Sequence, residues 1–124
     1  IQLSPAKFAV WIAVHGAFQF IAWGVLMPIG VYIAAFERQQ LTKSWLRIHR
    51  GIMIAAVVMV SVAQTIALLI CKRHLDKPHK IIGLVLFVWL LLQGVLGILI
   101  HAWRDPDRAK RPWYNQLHRA SGYL

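Results

Sequence analysis

Six histidines stand out in this 124-residue chain because most of the sequence around them is apolar. Imidazole binds metal ions through a neutral ring nitrogen, and it gains or loses a proton near neutral pH. Hydrophobic residues make up 59% of the chain, which excludes an ordinary water-soluble domain. Ionisable side chains are costly inside a membrane and usually functional there. The histidines that need an explanation are His15, His49, His74, His79, His101 and His118.

Long apolar stretches must position these histidines. Residues 81–100 include no charged residue, and Gln93 is their one strongly polar side chain. Twenty residues of α-helix extend about 30 Å, which is the thickness of a bilayer's hydrocarbon core. The sequence therefore predicts an all-α fold, an integral membrane helical bundle. Residues 1–124 form one transmembrane core in this interpretation, with spans at about 5–36, 44–72, 77–103 and 112–124, the last being incomplete.

The first stretch is longer than a membrane requires. Ser4 and Pro5 are typical of a helix start, with a side-chain cap followed by proline at the first helical position. No charged residue occurs from Phe8 to Phe36. Tilt, a kink at Pro28 or protrusion from the membrane is expected to accommodate the excess length.

The directions of the spans sort four histidines into two pairs. Spans one and three run the same way, so His15 and His79 share one leaflet; spans two and four run the opposite way, so His49 and His118 share the other. Two such pairs suit two b-type haems, each held by axial imidazoles from facing helices. His15 lies about 15 Å into its helix and His79 only about 5 Å, so the first helix must tilt or start outside the membrane.

Glycines lie close to the predicted ligands. Gly83 follows His79 by four residues and Gly122 follows His118 by four, which places each glycine on the face of its histidine. A missing side chain one turn from a ligand leaves room for a flat macrocycle, so both glycines are predicted to contact the cofactor. The single cysteine and the absence of a C-x-x-C-H motif exclude covalent haem attachment.

The basic residues predict the orientation in the membrane. Five Lys or Arg residues lie on the side of the N-terminus and nine on the other side, so the positive-inside rule predicts a non-cytoplasmic N-terminus. The lipid bilayer accounts for this charge, and no nucleic-acid partner is expected. Cations near the histidines are candidate partners for haem propionates, namely Arg47, Arg50 and Arg119 on the inner side and Lys77 and Lys80 on the outer side.

Other interpretations of the histidines remain open at this point. His74 is predicted to be an interfacial loop residue, and His101 is a weaker competitor for the inner-leaflet site. A zinc site formed by His74, Asp76 and His79 is another alternative, although its spacing is nonspecific. At the level of function, the alternatives are a haem-bearing membrane anchor subunit of a larger redox complex and a transporter with a histidine proton relay.

An ordered set of short motifs extends over nearly the whole chain and resembles the cytochrome b561 family. The chain is most similar to the type that follows an extracellular DOMON domain. The motifs are H-G, W-G and P-x-G in the first span, His49, and then two H-x-x-x-G motifs on either side of Q-x-x-x-G. Their residues are His15, Gly16, Trp23, Gly24, Pro28, Gly30, His49, His79, Gly83, Gln93, Gly97, His118 and Gly122.

The resemblance implies a transmembrane electron-transfer oxidoreductase. His15 and His79 would ligate the iron of one haem b, and His49 and His118 that of the other, while His101 would not be a ligand. Electrons would pass from a cytoplasmic donor to an acceptor on the outer side. Donor and acceptor would be small molecules or proteins, with ascorbate as one candidate. An extramembrane DOMON-type domain and a homodimer are further candidate partners.

The ends of the sequence predict a longer natural protein. The chain begins with Ile1 rather than methionine, and about a dozen residues from Pro112 to Leu124 are too few to cross a bilayer. A helix ending at mid-bilayer would leave carbonyls unpaired and a carboxylate in hydrocarbon. We therefore expect at least about eight further apolar residues to complete a span, and a fifth span to close the bundle.

Overall fold

The computed structural model describes residues 1–36, 44–102 and 113–122, and within these ranges every regular element is a helix. Three helices are long and apolar enough to cross a membrane: Pro5–Phe36, Ser44–Ile70 and Pro78–Ala102. The expected all-α membrane bundle is confirmed. The chain is thus an integral membrane protein with several spans.

The first span is one continuous helix with a local change of winding. It comprises α1 (Pro5–Ile21), a π-helical segment (Ala22–Leu26) and α2 (Met27–Phe36). The Ser4 side chain accepts a hydrogen bond from the Lys7 amide at 3.3 Å, so the predicted cap is confirmed.

The π-helical segment lies immediately before the proline that the sequence singles out. Pro28 has no N–H, so the carbonyl four residues earlier loses its usual helical partner. The Met27 amide instead donates to the Ala22 carbonyl, five residues back. The wider turn therefore accompanies the proline in place of a broken helix.

The remaining helices begin and end close to the predicted limits. They are α3 (Ser44–Ile70), α4 (Pro78–Ala102) and α5 (Trp113–Gly122). The predicted spans extend one or two residues further at some ends, and residues 103, 112, 123 and 124 lie outside the described part of the chain.

Each span packs mainly on its neighbour in the chain. The α3 helix packs against α1, α2 and α4, and α4 also packs against α5. Within the described ranges, α1 and α4 make no comparable contact, nor do α3 and α5. The helices whose histidines are predicted to pair are therefore not packed directly on each other.

A small apolar core joins the spans near their middle. It includes Ala22, Met27, Ala56, Val60 and Leu90, all of which are buried. Many large apolar side chains point outward instead, as expected when lipid surrounds the helices.

Ala56 provides a test of this core. It is completely buried, whereas its neighbour Ala55 is exposed on the same helix. We expect Ala56→Leu to lower the free energy of unfolding in detergent by about 1–3 kcal/mol, because the extra volume has no space to occupy. The matched variant Ala55→Leu should change it little, and equal losses in both variants would contradict the assignment of Ala56 to the core.

Candidate functional site

His49 is fixed by a hydrogen bond to the first span. Its Nδ1 lies 2.8 Å from the carbonyl oxygen of Gly30 in α2. The absence of a side chain at Gly30 permits this approach, since a Cβ there would lie 2.6 Å from the Met53 sulfur on α3. The P-x-G motif thus places a backbone acceptor beside the histidine of the next span.

His15 makes the reciprocal contact. Its Nδ1 lies 2.7 Å from the carbonyl oxygen of Ala63 on α3. The first span therefore receives a hydrogen bond from a histidine of α3, and α3 receives one from a histidine of the first span. Both side chains are half-buried.

These two contacts assign a hydrogen to the same nitrogen of both rings. A carbonyl oxygen can only accept a hydrogen bond, so Nδ1 carries a hydrogen in each ring, and the neutral form of either ring then has its lone pair on Nε2. No described residue hydrogen-bonds either Nε2 atom. Histidines that bind metals usually donate their second ring N–H to a backbone carbonyl or a carboxylate in this way. Both rings have the form that an axial haem ligand requires.

The two contacts lie at different depths in the bundle. From His49 to Ala63, α3 advances fourteen residues, which correspond to about 21 Å along its axis. This separation places His15 and His49 toward opposite ends of the spans, as their assignment to different leaflets predicts.

His118 lies at the same end of the bundle as His49. Its ring faces Gly97 on α4, where a Cβ would lie only 3.0 Å from Cε1 of the imidazole. Arg50, which follows His49 in α3, contacts His101 on α4, one turn beyond Gly97. The Nδ1 atom of His118 is buried and has no hydrogen-bond partner within the described ranges. The structure therefore brings the members of the inner pair to one region.

His79 is placed differently from the other three histidines. It is the second residue of α4, and its side chain is exposed. The Ile1 amino group donates to the Leu69 carbonyl at 2.9 Å, so the start of the first span lies beside the end of α3. His15 therefore lies toward the same end of the bundle as His79, at Ala63, which is about 9 Å along α3 from Leu69. The structure shows no direct contact between the two rings.

A short ion pair orders the turn that leads to His79. Lys80 Nζ donates to Asp76 at 2.7 Å and to the Arg73 carbonyl at 2.7 Å. The hydrogen bond from Lys80 holds the pKa of the Asp76 carboxyl below its usual value. Lys80 is therefore already paired. Of the two cations predicted to pair with propionates on the outer side, Lys77 has no described ion pair.

The remaining histidines have other surroundings. Nη1 of Arg50 donates to Nε2 of His101 at 3.3 Å, so the nitrogen that would bind iron is already occupied. His74 is exposed, as expected for a loop residue. No group of three His, Cys, Asp or Glu residues within the described ranges is arranged to hold a metal ion, so the structure does not assemble the alternative zinc site of His74, Asp76 and His79.

The predicted glycines differ in what faces them. A Cβ at Gly83 would meet nothing within 4 Å, and the same is true of Gly16 beside His15. A Cβ at Gly122 would instead lie 3.2 Å from Nε2 of Gln93 on α4. The open faces are consistent with room for a macrocycle, whereas Gly122 allows a close contact between two helices; its contact with a cofactor stays a prediction.

Sequence reasoning missed the partners that hold the histidines. The carbonyls of Gly30 and Ala63 carry no signal in their side chains, and only the quoted P-x-G motif points toward the first. Gly97 and Gln93 both lie in the Q-x-x-x-G motif, yet their contact with α5 depends on the rotation of the helices.

Comparison with known proteins identifies similar sequences among cytochrome b561 proteins. A family model described as eukaryotic cytochrome b561 matches residues 14–124. A cytochrome b561 and DOMON domain-containing protein of Arabidopsis thaliana is 27% identical over 115 residues, which are 88% of this chain and 27% of that protein. Ferric-chelate reductase 1 of Homo sapiens is 27% identical over 119 residues, covering 88% of this chain and 19% of that protein.

A third relative is shorter. A cytochrome b561 domain-containing protein of Arabidopsis thaliana is 28% identical over 120 residues, covering 91% of this chain and 45% of that protein. The chain thus spans less than half the length of these three relatives. No solved structure matches the chain.

The contact between Gly97 and His118 can be tested by substitution. Gly97→Val should push the imidazole away and weaken the packing of α5 on α4, with an expected loss of about 1–3 kcal/mol in the free energy of unfolding. Gly94→Val is the matched control, because a Cβ at Gly94 meets nothing within 4 Å. Denaturant titration in detergent measures both, and a control as destabilised as Gly97→Val would contradict the contact.

Proposed function

The chain belongs to the eukaryotic cytochrome b561 family, and on that premise we propose that it transfers electrons across a membrane through two bis-histidine b-type haems. The family is one of membrane proteins that carry b-type haem and take part in electron transport. Such a haem, when bound, supplies an iron that takes up and releases one electron. The number of haems and the ligands given below are our proposal.

The inner haem is assigned to His49 and His118. The observation that carries this assignment is the bond from Nδ1 of His49 to the Gly30 carbonyl, which leaves Nε2 free to bind iron. His118 supplies the second imidazole from α5, at the same end of the bundle. Arg50 and His101 lie beside this site and are hydrogen-bonded to each other.

The outer haem is assigned to His15 and His79. His15 has the same ring form as His49, since its Nδ1 is bonded to the Ala63 carbonyl. The open helix faces at Gly16 and Gly83 leave space beside both histidines. The helices α1 and α4 are not packed closely on each other, so a cofactor held by both would not have to displace a helix contact. His79 is exposed, so its ring is not held by a neighbouring helix.

The charge distribution supports an orientation in the membrane, and the family resemblance supports a direction of electron transfer. Nine of the fourteen Lys and Arg residues lie on the side opposite the N-terminus, which favours a cytoplasmic position for that side. We therefore assign His49 and His118 to the side of the donor, and His15 and His79 to the side of the acceptor. The name of the human relative describes a protein that reduces chelated ferric iron, which makes a ferric chelate our candidate acceptor and ascorbate our candidate donor.

Histidine substitutions test the ligand pairs. His49→Ala and His118→Ala should each remove the same haem, and His15→Ala and His79→Ala should each remove the other, because a bis-histidine site needs both imidazoles. Reduced-minus-oxidised spectra of the purified protein measure this. His74→Ala and His101→Ala are the controls and should keep both haems. Loss of one spectral component from both His15→Ala and His49→Ala would contradict the pairing, and a wild-type protein without a Soret band would contradict haem binding altogether.

Electron transfer through an oriented membrane tests the direction. Vesicles holding the full-length protein in known orientation, with ascorbate on the side of His49, should reduce an impermeant ferric chelate on the side of His15. His118→Ala should abolish most of this reduction, because one haem is missing from the path. Equal rates in wild-type and His118→Ala vesicles would contradict a path through both sites.

A further inference from the structure

Gln93 uses both ends of its side-chain amide to hold α5. Its Nε2 donates to the backbone carbonyl of His118 at 2.5 Å, and its Oε1 accepts from the Ser121 hydroxyl at 2.7 Å. The Ser121 oxygen also lies 2.7 Å from the Leu117 carbonyl of its own helix, so its single hydrogen is shared between this carbonyl and Gln93. The predicted inner ligand is thus held through its own backbone by a side chain of the neighbouring span.

Two glycines make this contact possible. Gly122 lets the amide of Gln93 reach α5, because a Cβ there would lie 3.2 Å from Nε2. One turn further along α4, Gly97 lies under the ring of His118, with 3.0 Å from a Cβ to Cε1. Residues 93 and 97 of α4 therefore meet residues 118 and 122 of α5 in an antiparallel register.

Polar contacts of this kind set the register of membrane helices. Lipid is as apolar as the helix surfaces, so burial of apolar area does little to select one arrangement over another. An amide without partners in hydrocarbon is unfavourable, and sliding or rotating α5 would break both hydrogen bonds of Gln93 together. The bonds therefore specify both the height and the rotation of α5.

His118 depends on this contact more than the other ligands do. The rings of His15 and His49 are fixed directly, through bonds from Nδ1 to carbonyls of neighbouring helices. The buried Nδ1 of His118 has no such partner within the described ranges. Its position is therefore determined by its backbone, which Gln93 holds, and by the surface of Gly97.

We propose that Gln93 is a positioning residue for the inner haem, which keeps His118 at the height and rotation where its imidazole stays bound to the iron. This inference rests on the proposed function, since it assumes that His118 is an axial ligand. Gln93 itself does not touch the iron; it acts through the backbone of the ligand.

Carbon monoxide provides a direct readout, because it binds a reduced haem only where an axial imidazole has left the iron. The measurement uses the full-length protein in lipid nanodiscs, in a His15→Ala background that keeps only the inner haem. We expect Gln93→Met, which has similar length and no amide, to bind carbon monoxide roughly tenfold faster, as the loss of two ordinary hydrogen bonds implies. In a His49→Ala background, which keeps only the outer haem, the same substitution should have no effect.

Two further variants separate positioning from a general loss of stability. Gln93→Glu should restore slow binding, because a carboxyl in apolar surroundings stays neutral and keeps both a donor and an acceptor. Leu92→Met alters the adjacent, exposed position of α4 and should behave like the parent protein. If Gln93→Met does not accumulate, Ser121→Ala, which removes one of the two bonds, should give a smaller acceleration at the inner haem and decides the question.

The results that would contradict the role of Gln93 differ from those that would contradict the proposed haem ligands. Unchanged carbon monoxide binding in Gln93→Met, or equal acceleration at both haems, would overturn the positioning role and leave the haem assignment intact. Absence of an inner haem from the His15→Ala parent would instead overturn the assignment of its ligands.

Discussion

The reciprocal hydrogen bonds between histidines and backbone carbonyls are the constraint on which the bundle depends. An imidazole N–H without a partner in hydrocarbon is costly, and a helix offers a neighbour only the second lone pair of its carbonyls. His15 and His49 meet this need on each other's helix, at Ala63 and Gly30. The same two bonds align the first span with α3 at both depths and leave Nε2 of each ring available. The same two hydrogen bonds therefore align the helices and orient the imidazole rings.

The two proposed haem sites are built unequally around this arrangement. The inner site receives His118 from α5, which Gln93 and Gly97 hold against α4. The outer site receives His79 from the exposed first turn of α4, which Lys80 orders through Asp76 and the Arg73 carbonyl. Burial and solvent exposure are among the factors that set the reduction potential of a haem. Unequal enclosure thus gives the two proposed sites a physical basis for unequal potentials.

The sequence predicts the spans well because apolar length is a property of the sequence alone. The start predicted at Pro5 agrees with the structure, and the one predicted at 77 differs from it by one residue. His49 and His118 lie toward one end of the bundle, as predicted. The rotation of each helix about its axis is less accessible, since helices that are apolar on every face do not indicate which face meets a neighbour. For this reason, three features are visible only in the structure. They are the bonds of the histidines to the Gly30 and Ala63 carbonyls, the contact of Gly122 with Gln93, and the occupied Nε2 of His101.

The π-helical segment acquires a structural reason when the two histidine contacts are compared. The first span advances fifteen residues from His15 to Gly30, whereas α3 advances only fourteen between His49 and Ala63. In two antiparallel α-helices of equal rise, the extra residue would put the two contacts about 1.5 Å out of register. A π turn includes one residue more than an α turn at nearly the same height, and the i→i−5 bond from Met27 to Ala22 lies between the two contacts. Pro28, by removing one amide from the α-helical pattern, favours this wider turn at the place where the register of both histidines needs it.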